Sequence, residues 1–134
     1  MSRVIPEPAK DSVHVLIFVR DIRKSIEFYQ GALGLVKEGE VLTPFGTSHR
    51  FRYGTSLIKL MEPNQLPPAS PFGLDQQLGL RCLSFAVRNI SELCTALEAQ
   101  GIEFTVPVTQ VLPDTRIAMV KDPDGNIVEF VDRA

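Results

Sequence analysis

The sequence of 134 residues contains only two cysteines, Cys82 and Cys94. They stand in neither zinc-finger nor redox-motif spacing and are too few for a disulfide framework, so both are expected as reduced thiols in a cytoplasm. Cys94, next to Leu93 on a helical pattern, reads as core, and Cys82 reads by residue type as a small buried hydrophobe. Charge of one sign is not in excess: 14 Lys and Arg stand against 16 Asp and Glu, for a net charge of −2. The charges are scattered, which leaves no basic footprint for nucleic acid or an anionic membrane. No apolar run approaches the roughly 18 to 20 residues of a membrane span. The opening MSRVIPEPAK has no apolar stretch of signal-peptide length. These absences point to a soluble chain, not exported, whose partners are small molecules or proteins.

What the sequence does have is a core and a repeat. Hydrophobic residues make up 44% of the chain, enough for one domain over residues 1–134. HVLIFVRDI (14–22) aligns with CLSFAVRNI (82–90) at an offset of 68, that is 82 minus 14. SLIKLME (56–62) aligns with NIVEFVD (126–132) at an offset of 70, that is 126 minus 56. A repeat at nearly constant offset is the mark of a duplicated supersecondary unit.

Between these anchors each copy carries a helical pattern. Asp21 is the expected cap of the first helix, with Ile22, Ile26, Tyr29 and Leu33 as its buried stripe and Gly31 and Gly34 at its end. Ser91 is the expected cap of the second, with Leu93, Ala96 and Leu97 on one face and Gly101 at the stop. Three strand-like runs follow each helix: about 35–41, 49–53 and 56–61, then about 104–108, 116–121 and 127–131. DPDGN, residues 122–126, supplies the last reversal. Each half reads βαβββ, giving module 1 at about 12–62 and module 2 at about 80–132. The Pro-rich segment 63–79 is a linker whose Phe72 is a candidate to cover a pocket.

RDIRKSIEFYQGALGL and DPDGNIVEF, with the doubled βαβββ pattern, resemble the vicinal oxygen chelate superfamily of glyoxalase I, bleomycin-resistance proteins, methylmalonyl-CoA epimerases and extradiol dioxygenases. The resemblance covers about residues 12–132. It implies an α+β fold in which two βαβββ modules form a cupped mixed sheet, often in a homodimer, with modules paired within one chain or between two. It further implies a divalent metal, zinc, iron, nickel or manganese, held on the concave face by the first and fourth strands of each module. The first-strand ligand lies seven residues before the residue that opens the helix, which gives His14 and, as a departure, Cys82. The fourth-strand ligand is a glutamate, which gives Glu129 and, as a second departure, Lys59. Glu62 cannot replace Lys59, because three residues along a strand reverse the face.

A protonated lysine has no lone pair to give, and its charge repels a cation. Three arrangements satisfy the four addresses. Lys59 can stand in for the metal as counter-charge to Glu129. His14, Cys82 and Glu129 can hold a metal in an open three-ligand site if Lys59 swings outward. Lys59 can itself be a reactive amine. Glu129, flanked on its own face by Ile127 and Val131, is the expected ligand or general base, and His14 its ligand or acid/base partner. His49, Phe51 and Tyr53 alternate on one face of their strand and Arg50 and Arg52 on the other, so the face that lines the cup offers either aromatic walls with an imidazole or two cationic anchors. The family geometry favours His49, Phe51 and Tyr53 as pocket wall beside Leu16 and Phe18. Two functions follow: a lyase, isomerase or dioxygenase-like enzyme with a degenerate metal site, acting on a small oxygen-bearing molecule, or a metal-free small-ligand binder of the bleomycin-resistance type.

Overall fold

The computed structural model describes residues 4–69, 74–75 and 78–134. Phe72 and part of the Pro-rich segment lie outside the described residues. The chain divides into two compact units at Leu66/Pro67, and the two expected modules fall one to each.

Unit 1 runs β1 (His14–Phe18), α1 (Ile22–Ile26), a π-helical continuation (Glu27–Ala32), β2 (Val36–Thr43), β3 (Gly46–Tyr53) and β4 (Ser56–Pro63). The strands lie in the order β1-β4-β3-β2. β1 runs parallel to β4, and the other neighbours are antiparallel. Unit 2 repeats the plan with β5 (Cys82–Ala86), α2 (Ile90–Ala99), β6 (Phe104–Leu112), β7 (Thr115–Lys121) and β8 (Ile127–Arg133), in the order β5-β8-β7-β6. These are two βαβββ modules, each a mixed four-stranded sheet with its helix, as the repeat implies.

Local chemistry explains the elements and corrects some details. Asp21 caps α1 as expected: its Oδ1 accepts from the backbone N–H groups of Arg23 at 3.1 Å and Lys24 at 3.3 Å. The helix then widens, with Leu33 N–H donating to Phe28 O five residues back. The widening shifts the buried set to Ser25, Phe28 and Tyr29, leaving Ile22, Ile26 and Leu33 only half-buried. Ser91 is not the cap of α2, which begins one residue earlier. Ile90 N–H donates to Asp132 Oδ2 of β8 at 3.1 Å, while Ser91 Oγ accepts from Arg116 Nη1 at 2.8 Å. The buried face of α2 is Ile90, Cys94 and Leu97, and Ala96 is exposed. Asp122 ties the DPDGN turn by accepting from the backbone N–H of Asp124 and Asn126.

One face of each sheet meets the helix and makes the core. In unit 1 it carries Val19, Phe51, Ile58 and Leu60, all buried together with Phe28 and Tyr29 of the helical segment. In unit 2 it carries Phe85, Val120, Val128 and Phe130, buried with Leu97. Each such side chain contributes about 1.5–3 kcal/mol by leaving water. The opposite faces hold the residues of functional interest.

Candidate functional site

The site residues are positioned by pairing register. Gly54 and Thr55 form a two-residue hairpin loop, Gly54 having the positive φ of 56° that such a turn needs, and Tyr53 is thereby set opposite Ser56. Counting back from that pair puts Arg50 opposite Lys59. Because β1 lies on the other side of β4, Leu16 is also beside Lys59. Beyond Arg50, across β2, stands Gly39. A row of four therefore crosses the sheet away from the core: Leu16, Lys59, Arg50, Gly39. His14 and Phe18 flank the row on β1.

This register corrects one expectation. His49, Phe51 and Tyr53 do not share the face of His14, Leu16, Phe18 and Lys59; they lie on the helix side, and Arg50 and Arg52 take the other. The reason is burial: Phe51 is 0% exposed, and a strand that buries this ring must turn its alternating arginines outward. His49 is buried as well. Its Nε2 lies 3.0 Å from Glu62 Oε1, and its Nδ1 is 3.4 Å from Glu40 Oε1 without hydrogen-bond geometry. Glu62 thus sits on the face opposite Lys59, as its spacing requires.

Unit 2 repeats the row as Ser84, Glu129, Met119 and Val106. Glu129 occupies the address of Lys59, half-buried between buried Ile127 and Val131. Ser84 Oγ donates to Glu129 Oε1 at 2.6 Å, and Cys82 Sγ lies 3.7 Å from Ser84 Oγ. Cys82 is exposed rather than a buried hydrophobe, because it opens β5 on the face away from α2. Its thiol pKa is raised, first by partial desolvation and also by the Glu129 charge, against the hydrogen bond with Ser84 and one from the Glu129 backbone N–H, which lower it. Cys82 is therefore a protonated thiol near neutrality, a weak nucleophile and a weak ligand until a cation displaces its proton.

Sequence reasoning singled out His14, Lys59, Cys82 and Glu129, and the structure places them at matching registers, two in each unit. It missed Ser84 and left Arg50 as an alternative. Offset arithmetic would have found Ser84, the counterpart of Leu16, and a two-residue hairpin at Gly54-Thr55 would have found Arg50.

The donor set does not fit the four-ligand centre that the resemblance implies. Lys59 has no lone pair when protonated and places positive charge where a cation needs a carboxylate. Within either unit, no three His, Cys, Asp or Glu side chains of the described residues are grouped to hold a metal. Within its own unit Lys59 has no carboxylate at ion-pair distance among the described residues, and neither has Arg50; Arg52 does, with Nε 2.7 Å from Glu38 Oε1.

Two βαβββ modules of the same plan, with rows at matching registers in their sheets, define a duplicated-module class of protein. The family profile described as the Glyoxalase/Bleomycin resistance protein/Dioxygenase superfamily matches residues 12–130, and the chain belongs to that superfamily. YurT, an uncharacterized protein of Bacillus subtilis (strain 168), is 31% identical over 130 residues, covering 87% of this chain and 94% of YurT. Among solved structures, SMU.1112c matches with a TM-score of 0.79 at 25% identity, covering 93% of this chain and 100% of that one. TnmS3, an antibiotic binding protein from Streptomyces sp. CB03234, shares the fold with a TM-score of 0.72 at 20% identity, covering 96% of this chain and 100% of its own. No helix among the described residues is long and apolar enough to cross a membrane.

Proposed function

We propose that this chain is a metal-independent binder of a small molecule, of the bleomycin-resistance type, working on the outward sheet face that carries Lys59 and Arg50. The observation that carries the reading is Lys59. It sits at a ligand address beside Arg50, and two adjacent cations raise the cost of placing a divalent metal there. Exposed Leu16 and Phe18 beside them supply the apolar surface of a small-ligand site with few polar groups. TnmS3, of the same fold, is an antibiotic-binding protein, so the architecture accommodates ligand binding. The cytoplasm and a homodimer are the setting and assembly that go with this reading, the latter measurable by light scattering.

The test is elemental analysis of protein purified without chelator, paired with a thermal-shift screen of small molecules, since a ligand bound only by the native state raises Tm by mass action. Stoichiometric zinc, iron, nickel or manganese would overturn the metal-independent reading. One observation favours the enzyme alternative: the Ser84 hydrogen bond fixes Glu129 as a general base would need to be fixed. Turnover of a screened compound, lost in Glu129→Gln, would establish it.

A further inference from the structure

The row Leu16–Lys59–Arg50–Gly39 carries a more specific conclusion, which rests on the binding reading above. We infer that Lys59 and Arg50 form an oxyanion subsite, and that the ligand is an anionic molecule, a carboxylate or phosphonate carried on an apolar body.

Lys59 and Arg50 are direct cross-strand partners in the two central strands of their sheet, and like charges placed directly opposite destabilise a sheet. Both are half-buried, so water screens them less than it would at an edge. The fold has the means to neutralise a cation on this face, for Arg52 is paired with Glu38, yet within the unit it leaves Lys59 and Arg50 unpaired among the described residues. An oxyanion seated between them would turn this repulsion into two charge-assisted interactions, with the guanidinium able to accept it in a two-pronged geometry.

The neighbours set the rest of the ligand. On one side of the pair, Leu16 is 53% and Phe18 43% exposed, large apolar side chains positioned to cover an apolar body. On the other side Gly39 has no side chain, and a Cβ built there would meet nothing within 4 Å. The row therefore reads apolar wall, two cations, open space. A cationic or uncharged ligand would gain nothing from the centre of this row.

The experiment uses the full chain and four matched probes: 4-phenylbutyrate, 4-phenylbutylphosphonate, 4-phenylbutyramide and 4-phenylbutylamine, titrated by calorimetry at low and high salt. The expected result is that at least one of the two anions binds about tenfold or more tightly than the amide, that the amine is weakest, and that the preference shrinks with salt. The better anion identifies which oxyanion the subsite takes. Lys59→Gln and Arg50→Gln should each remove the preference, Arg50→Lys should keep part of it, and Arg52→Gln should change it by less than about twofold. Leu16→Gln should weaken all probes alike. Circular dichroism confirms that each variant is folded. If the amide binds as well as the anions, or if Arg52→Gln costs as much as Lys59→Gln, the subsite is overturned while the binding reading stands. If no probe binds at millimolar concentration, the subsite is also overturned; stoichiometric metal in the same sample would remove the binding reading with it.

Discussion

Lys59→Glu offers a direct test of the charge arrangement. The substitution puts a carboxylate opposite Arg50 and diagonal to Arg52, which pairs with Leu57 one step along β3. Two unit charges about 5 Å apart interact by about 0.8 kcal/mol in bulk water and by about 3 kcal/mol at the effective dielectric of a protein surface, but measured cross-strand and exposed ion pairs, which include desolvation and side-chain ordering, fall at about 0.2–1 kcal/mol. Taking about 0.5 kcal/mol for the repulsion removed and the same for the attraction gained, the swing is about 1 kcal/mol toward the folded state. For a chain of this size that is a rise in Tm of roughly 3–5 °C. Urea unfolding at low ionic strength should show a higher midpoint with an unchanged m-value, and most of the gain should vanish at 1 M salt, where the screening length is about 3 Å. The variant should become more stable while losing the preference for anionic probes. A fall in Tm, or a gain that ignores salt, would refute the reasoning.

Gly46→Ala should be severely destabilising, by at least about 2 kcal/mol in urea unfolding, because Gly46 has φ 147° and a Cβ there would collide with the Glu62 carbonyl oxygen and lie 2.8 Å from Pro63 Cα. Asp132→Ala should cost about 1–2 kcal/mol in the same assay, since it removes both the acceptor of Ile90 N–H and the carboxylate 3.7 Å from Arg116 Nη2; a loss under about 0.3 kcal/mol would refute its role as the cap of α2. The raised pKa of Cys82 predicts slow alkylation by iodoacetamide at pH 7, with the rate climbing at a pH above that of an ordinary thiol. Glu129→Gln removes a raising influence and should speed alkylation; an unchanged or slower rate would contradict the arrangement.

The parts of the molecule legible in the sequence were those governed by short-range pattern. The offsets of 68 and 70 exposed the duplication, and start signals such as Asp21 placed α1 because the capping bonds span two or three residues. Ser91 failed as a cap because the true acceptor, Asp132, is 42 positions from the Ile90 N–H that it caps, beyond any local rule. The widened turn in the first helix moved its buried stripe for a similar reason: a 3.6-residue period does not anticipate a bond from Leu33 to Phe28. The β3 face was misassigned because alternation alone leaves two choices. Burial of Phe51 decides between them, and that burial depends on a helix packed from elsewhere in the unit. At the site, Lys59 was legible as a departure at the address that Glu129 fills in the matching half of the repeat. Their neighbours Arg50 and Ser84 acquire meaning only from strand pairing.

The two helices, so alike in plan, differ in when they can start. The first turn of α1 is secured by Asp21, so its start can form in the unfolded chain on the sub-microsecond scale of helix–coil exchange. The first turn of α2 waits for β8 to come alongside β5 and deliver Asp132, a long-range closure with its own entropic delay. Loss of the Asp21 cap is therefore expected to act on the folding rate, and loss of the Asp132 cap on the rate of unfolding. One architecture, written twice, assembles on two clocks.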